Sequence, residues 1–158
     1  MRLMRIYLDA STLGGRFDEE FEEPGERFFA LLEKGRFVAV ISDLLAEEME
    51  DAPPRVKELF ADILSGGAEQ LQASEEAVAL RDAYLAARVV TAKYGDDALH
   101  VALATVAGTD VIASWNFRHL VNPARIRGFN AVNTARGYRP VVILTPADLV
   151  KVLEASHA

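Results

Sequence analysis

The chain has 158 residues, 51% of them hydrophobic, and a formal net charge of −7; this is enough for one domain with a packed core and excludes wholesale disorder. It contains no cysteine, which excludes disulfides, thiolate metal sites and a cysteine nucleophile, and suits a reducing compartment. No apolar run approaches the roughly 18 residues of a membrane span, and the basic start Met1-Arg2-Leu3-Met4-Arg5 leads into a short strand, not a signal-peptide core.

In chain order, a first strand is expected over about 3–9, with Ile6, Tyr7 and Leu8 as its buried run. Gly14-Gly15 reads as a break, and the acidic stretch 18–24 as an exposed loop ending in Pro24-Gly25. Glu26 to Lys34 reads as a short helix stopped by Gly35, and Phe37 to Ile41 as a second, β-branched strand. Ser42 or Asp43 caps a helix over 43–50, and another follows Pro53-Pro54 over 55–64. Glu69 to Ala73 suits a short edge strand. Ser74 opens a long helix to about Thr91, and Asp96 reads as the N-cap of a further helix reaching Ala107. A strand over 111–114 and a loop over 115–119 lead to a helix from Pro123 to about Arg136. Val141 to Leu144 is the last strand, and Thr145-Pro146 starts a helix that frays into the tail. Strands alternating with helices predict a three-layer α/β/α fold with a mostly parallel sheet, as a single domain over 1–158.

Ligands of such sheets bind beyond the carboxyl ends of the strands. Asp9 stands at the end of the first strand, Glu47 and Glu48 on the helix after the second, and Asp96 and Asp97 at the start of a helix. His100, three residues after Asp97 on the same side of that helix, reads as a packed or supporting residue. Trp115 and Phe117 read as loop or core anchors rather than base-stacking platforms. From Val111 to Ala147 there is no acid, but there are Arg118, Arg125, Arg127, Arg136 and Arg139, a distribution compatible with a local phosphate-binding face on an acidic protein.

Four motifs in this order carry a resemblance: Leu8-Asp9-Ala10-Ser11, the Ile41 to Met49 segment, Asp97-Ala98-Leu99-His100, and Ser114-Trp115-Asn116-Phe117-Arg118-His119-Leu120-Val121-Asn122. The chain resembles PIN-domain proteins of the VapC-type toxins found in toxin–antitoxin pairs. The resemblance implies a metal-dependent ribonuclease, with Asp9, Glu48 and Asp97 as ligands of magnesium or manganese. Glu47 is the fallback for Glu48. Asn116 occupies the place of a fourth acid, completing the catalytic set with a neutral carbonyl, which leaves open one metal or two. Ser11 is expected to fix a metal-bound water or a phosphate, and Arg118 and His119 to hold the RNA backbone. The resemblance further implies a cognate antitoxin, a homodimer, no membrane and a cytoplasmic location. The chemistry agrees with the residue types, because hard cations held by carboxylates activate water and neutralise phosphoryl charge.

Two other functions compete. A catalytically weak PIN-like binding module is suggested by Asn116. A phosphatase of the haloacid dehalogenase type would use Asp9 as nucleophile, Lys93 as charge clamp and Asp96-Asp97 on magnesium, but it wants a second Asp where Ser11 stands.

Overall fold

The structure, a computed structural model, describes residues 2–156; the tail after Ser156 lies outside them. It contains five strands, β1 (Arg5–Leu8), β2 (Val38–Ser42), β3 (Glu69–Leu71), β4 (Val111–Ala113) and β5 (Ile143–Leu144). All pairings are parallel and the order is β3-β2-β1-β4-β5. Eight helices accompany them: α1 (Ala10–Gly15), α2 (Glu22–Glu33), α3 (Asp43–Met49), α4 (Pro54–Ser65), α5 (Glu75–Ala86), α6 (Gly95–Val106), α7 (Pro123–Ala135) and α8 (Pro146–Ala155). The expected three-layer α/β/α arrangement is the one observed.

The first strand lies at the centre of the sheet, and its pleat divides the core. Ile6 and Leu8 face one side with Ala39, Ile41, Val111 and Ala113, under α2, α4 and α8. Tyr7 faces the other with Val40 and Ile112, under α5, α6 and α7. Both faces are covered, so Ile6, Tyr7 and Leu8 are each 0% exposed, as parallel strands between helical layers must be. From β1 the chain builds outward through β2 to β3, then returns to the other flank of β1 as β4. The order reverses between β1 and β4, and the crevice at such a switch point is where open sheets bind ligands.

Local differences from the expected elements have physical causes. Gly14-Gly15 does not break the chain; the two residues finish α1. A Cβ on Gly15 would lie 2.5 Å from Trp115 Cδ1, so glycine is required by a close approach. Pro24 and Gly25 lie inside α2, where a first-turn proline loses no intrahelical bond. The long helix expected to reach Thr91 ends at Ala86, because Arg88 takes a left-handed φ of 58° and the Val89 N–H closes back on the Tyr84 carbonyl. A 3-10 turn over Ala92–Tyr94 then runs into α6, so the residue before α6 is Tyr94 and Asp96 is not its cap. No helix among the described residues is long and apolar enough to cross a membrane.

Candidate active site

Asp9 leaves β1 and becomes the N-cap of α1, accepting the Thr12 N–H at 2.9 Å. Its Oδ1 also accepts the Ser11 hydroxyl at 2.8 Å, and its Oδ2 accepts the Ser114 hydroxyl at 2.6 Å. The Thr12 hydroxyl sits between Asp9 Oδ1 and the Ala113 carbonyl. Asp9 is 4% exposed, and its carboxylate ties the start of α1 to the end of β4 across the switch point. Ser11, expected to hold a water or phosphate, also accepts the Trp115 N–H at 2.8 Å. Its hydroxyl therefore serves Asp9 and the β4 loop together.

Glu48 reaches the same rim from α3. Ser42 caps that helix through the Leu45 N–H, which places position 48 on the inward side and leaves Glu47 exposed. Glu48 Oε1 accepts from His100 Nε2 at 2.6 Å. Helix phase thus turns Glu48 inward and Glu47 to solvent.

His100 is a buried imidazole on α6, and its Nδ1 is 2.6 Å from the Tyr7 hydroxyl, which is 2.8 Å from Ser42 Oγ. Ser42, Tyr7, His100 and Glu48 form one hydrogen-bonded line through the layer. It is satisfied in either charge state of the imidazole. A neutral ring accepts the Tyr7 O–H; a charged ring donates to the Tyr7 oxygen, and Tyr7 donates to Ser42. Burial lowers the His100 proton affinity, but the bond to Glu48 and the charges of Glu48, Asp9 and Asp97 outweigh it and leave it raised. Burial holds the Tyr7 phenol protonated, far above its ordinary range.

Asp97 lies in the first turn of α6, where its charge suits the helix dipole. Its Oδ2 accepts from His119 Nδ1 at 2.9 Å and from Asn116 Nδ2 at 3.3 Å. Burial raises its pKa above the ordinary carboxylate value, against the lowering by His119 and Asn116. Asn116 directs its amide nitrogen at the acid, while its carbonyl accepts the His119 N–H at 3.0 Å. The oxygen expected to face a cation is therefore engaged in the loop.

His119 corrects an expectation. It was placed on the RNA-binding face, yet it is 6% exposed, packed on Tyr94 at 3.9 Å between ring centroids and bonded to Asp97. It orients an acid and offers no surface to a phosphate. Arg118 is exposed, with its guanidinium 5.6 Å from the same Tyr94 ring. Lys93 is exposed beside that ring at 5.7 Å and pairs with no acid among the described residues. Both oxygens of Asp9 are taken by Ser11, Thr12 and Ser114. An unpaired Lys93 does not favour an Asp9 nucleophile with a Lys93 clamp, and any ligand of Asp9 would have to replace one of these hydroxyl donors.

Neither a scan against protein-family models nor a search of the curated proteins finds a match to this chain.

The site is thus defined by its own geometry. Asp9, Glu48 and Asp97 all act electrostatically on the single imidazole of His100, and none of them pairs with a lysine or arginine among the described residues. Among those residues no group of three or more His, Asp and Glu side chains is placed so that it could hold a metal ion. The donor chemistry nevertheless fits a small hard cation. Magnesium keeps several of its waters and is commonly held by only one or two carboxylates plus substrate phosphate, and Glu48 Oε2 and Asp97 Oδ1 take no protein donor among the described residues. An apolar cleft of about 440 Å³ between α2 and α4, lined by Phe29, Leu32, Phe37, Leu59 and Ile63, lies apart from these acids.

The Tyr7–His100 link was beyond sequence reasoning, because its partners are 93 residues apart. A signal was present: a tyrosine inside a fully buried strand needs a partner for its hydroxyl, and His100 is a polar residue in the otherwise apolar run Ala98–Ala104.

Proposed function

We propose that the protein is a metal-dependent endoribonuclease of the PIN-like kind, acting as the toxin of a toxin–antitoxin pair. The observation that carries this reading is that Asp9, Glu48 and Asp97, all toward the carboxyl ends of the strands, pair with no lysine or arginine among the described residues. Buried and half-buried carboxylates repel one another unless a cation or a proton joins them. Asp9, Glu48 and Asp97 would hold magnesium or manganese, which when bound supplies an activated water and neutralises charge on the phosphoryl group.

The chain's own residues divide the remaining work. Ser11, Thr12 and Ser114 hold Asp9 in one orientation. His100 holds Glu48, and His119 with Asn116 holds Asp97. Arg118 and Lys93 lie at the outer rim, where a phosphodiester backbone needs positive charge on an acidic protein. A cognate antitoxin, a homodimeric state and a cytoplasmic location belong to the same proposal and rest on the motif resemblance.

The test is cleavage of a mixed RNA pool with manganese, with chelator, and with Asp97→Asn. The reading expects cleavage that chelator and the substitution both abolish, and calorimetric manganese binding that weakens with the substitution. A folded protein that neither cleaves nor binds manganese would be a binding module instead.

A further inference from the structure

The cleft of about 440 Å³ between α2 and α4 has its cause in the strand beneath it. β2 turns Ala39 and Ile41 to this side of the sheet. Ile41 fills its place, but Ala39 carries only a methyl group. The space above it is walled by Phe29, Leu32, Phe37, Leu59 and Ile63. Both helices are followed by glycines in the left-handed region, Gly35 at φ 70° and Gly67 at φ 89°, and a Cβ on either would meet nothing within 4 Å. The chain turns tightly there and leaves the mouth of the cleft open.

The charge at that mouth has one sign. Glu33 is the last residue of α2, and Asp62 lies in the last turn of α4. Both are exposed and line the cleft. The carboxyl end of a helix carries partial negative charge and favours a lysine or arginine. Neither helix has a base in its last turn, and neither acid is ion-paired among the described residues. Among those residues no lysine or arginine lines the cleft. Two helix ends and two carboxylates therefore face a hollow with apolar walls.

The nearest positive charge stands outside it. Arg16 and Arg55 lie over the Phe17 ring at 5.3 and 4.4 Å and line a neighbouring hollow closer to α1. The size also selects. Small-molecule sites run from roughly 300 to 1,000 Å³, and an α-helix about 10 Å across would enter this cleft with little more than one turn. A compact ligand with an apolar body and a cationic end matches both the walls and the mouth.

We propose that the α2–α4 cleft binds a small amphipathic amine, its hydrocarbon body above Ala39 against Phe29, Phe37 and Ile63, and its ammonium between Glu33 and Asp62. The cleft opens where β2 and β3 begin, at the rim opposite Asp9, Glu48 and Asp97. The inference therefore stands apart from the ribonuclease reading and does not depend on it.

The experiment titrates the isotope-labelled protein with three probes of one shape, phenylbutylamine, phenylbutanol and phenylbutyrate, and follows amide chemical shifts. The amine should bind with a sub-millimolar Kd and shift the amides of Gly35, Gly67 and Ala68. The alcohol should bind about 5- to 30-fold more weakly, the worth of two exposed carboxylates and two helix ends, and the acid should not bind. Glu33→Gln combined with Asp62→Asn should bring the amine down to the alcohol and leave the alcohol unchanged. Leu32→Trp, which fills the cleft, should block both at an unaltered melting temperature; Leu59→Trp takes its place if that variant melts early. An amine that binds no tighter than the alcohol, or no binding by any probe, overturns the inference. Amine binding that survives the filling variant is adsorption to an acidic surface and overturns it too. So does a basic helical peptide that occupies the cleft where the amine does not, or a dimer that Leu32→Trp dissociates, which would make the occupant a protein segment or a second copy.

Discussion

At the amino-terminal rim of the sheet the acids meet arginines. Asp110, before β4, accepts from Arg2 and from the Arg5 N–H, and Glu69 at the start of β3 pairs with Arg5. At the carboxyl-terminal rim, Asp9, Glu48 and Asp97 meet hydroxyls, an amide and two imidazoles. The consequence appears in their pKa values. The bond to Arg2 lowers Asp110 below the ordinary carboxylate range, while burial raises Asp97 above it. One rim is neutralised by the chain itself, and the other keeps negative charge for something that comes from outside. The first arrangement serves the fold; on the proposed ribonuclease reading the second would serve chemistry.

The largest expected effect separates the rims directly. Asp97→Asn should cut RNA cleavage by roughly 10²–10³-fold, the usual cost of removing one group that stabilises developing charge, with a melting temperature unchanged or higher because a disfavoured charge is gone. Asp110→Asn should leave cleavage intact and destabilise by about 1 kcal/mol or less, since that ion pair is solvent-screened. Reversed outcomes in paired activity and thermal-denaturation measurements would erase the distinction. Asp9→Asn is less clean. On sequence alone, relief of repulsion among acids predicts a fold at least as stable, but Asp9 also accepts from Thr12, Ser11 and Ser114, and losing that charge-assisted cradle opposes the gain.

Next in size are the groups behind Glu48. Tyr7→Phe leaves a protonatable Nδ1 of His100 without its partner and should cost about 1–3 kcal/mol in denaturant unfolding. His100→Gln should weaken manganese binding roughly 10- to 100-fold by calorimetry, as loss of an orienting partner does. Intact affinity in a folded His100→Gln protein would make the line purely structural.

A smaller effect is pH-dependent. The folded-state proton affinity of His100 lies above the ordinary imidazole value of 6.5. A raised histidine stabilises fully below that value and loses the contribution as pH rises through the folded-state value. In chelator, stability should therefore fall as pH climbs above 6.5, and His100→Gln should flatten that slope. The smallest change is expected from Arg118→Ala, which should weaken RNA binding and reduce the salt-dependence slope by about 1. An unchanged slope would take Arg118 off the phosphate path.

What the chain discloses before folding is uneven for physical reasons. The parallel sheet was legible because β-branched runs alternate with helical periodicity, and Ser42, Ser74 and Thr145 announce helix starts that all occur as caps. The motif resemblance pointed to Glu48 before Glu47, and Glu48 is the one that turns inward. The end of α5 was not legible, since an arginine at a left-handed position carries none of the glycine signal that usually marks it. The partners of the acids were not legible either. His119 to Asp97 and Ser114 to Asp9 are made by tertiary approach, and no local pattern encodes them. Phe117 and Trp115 are two residues apart, yet one is buried and one exposed because a loop turns between them.

The central place of β1 fixes a timetable. Its residues are made well before β4, which closes one flank, and the Ser114 hydroxyl that Asp9 accepts lies 105 residues downstream. Asn116 and His119, which hold Asp97, emerge later still. A nascent or truncated chain that stops before this loop cannot assemble the acidic rim, because long-range parallel pairing must wait for its partner strand. The acidic rim is therefore completed only once the loop after β4 has been made.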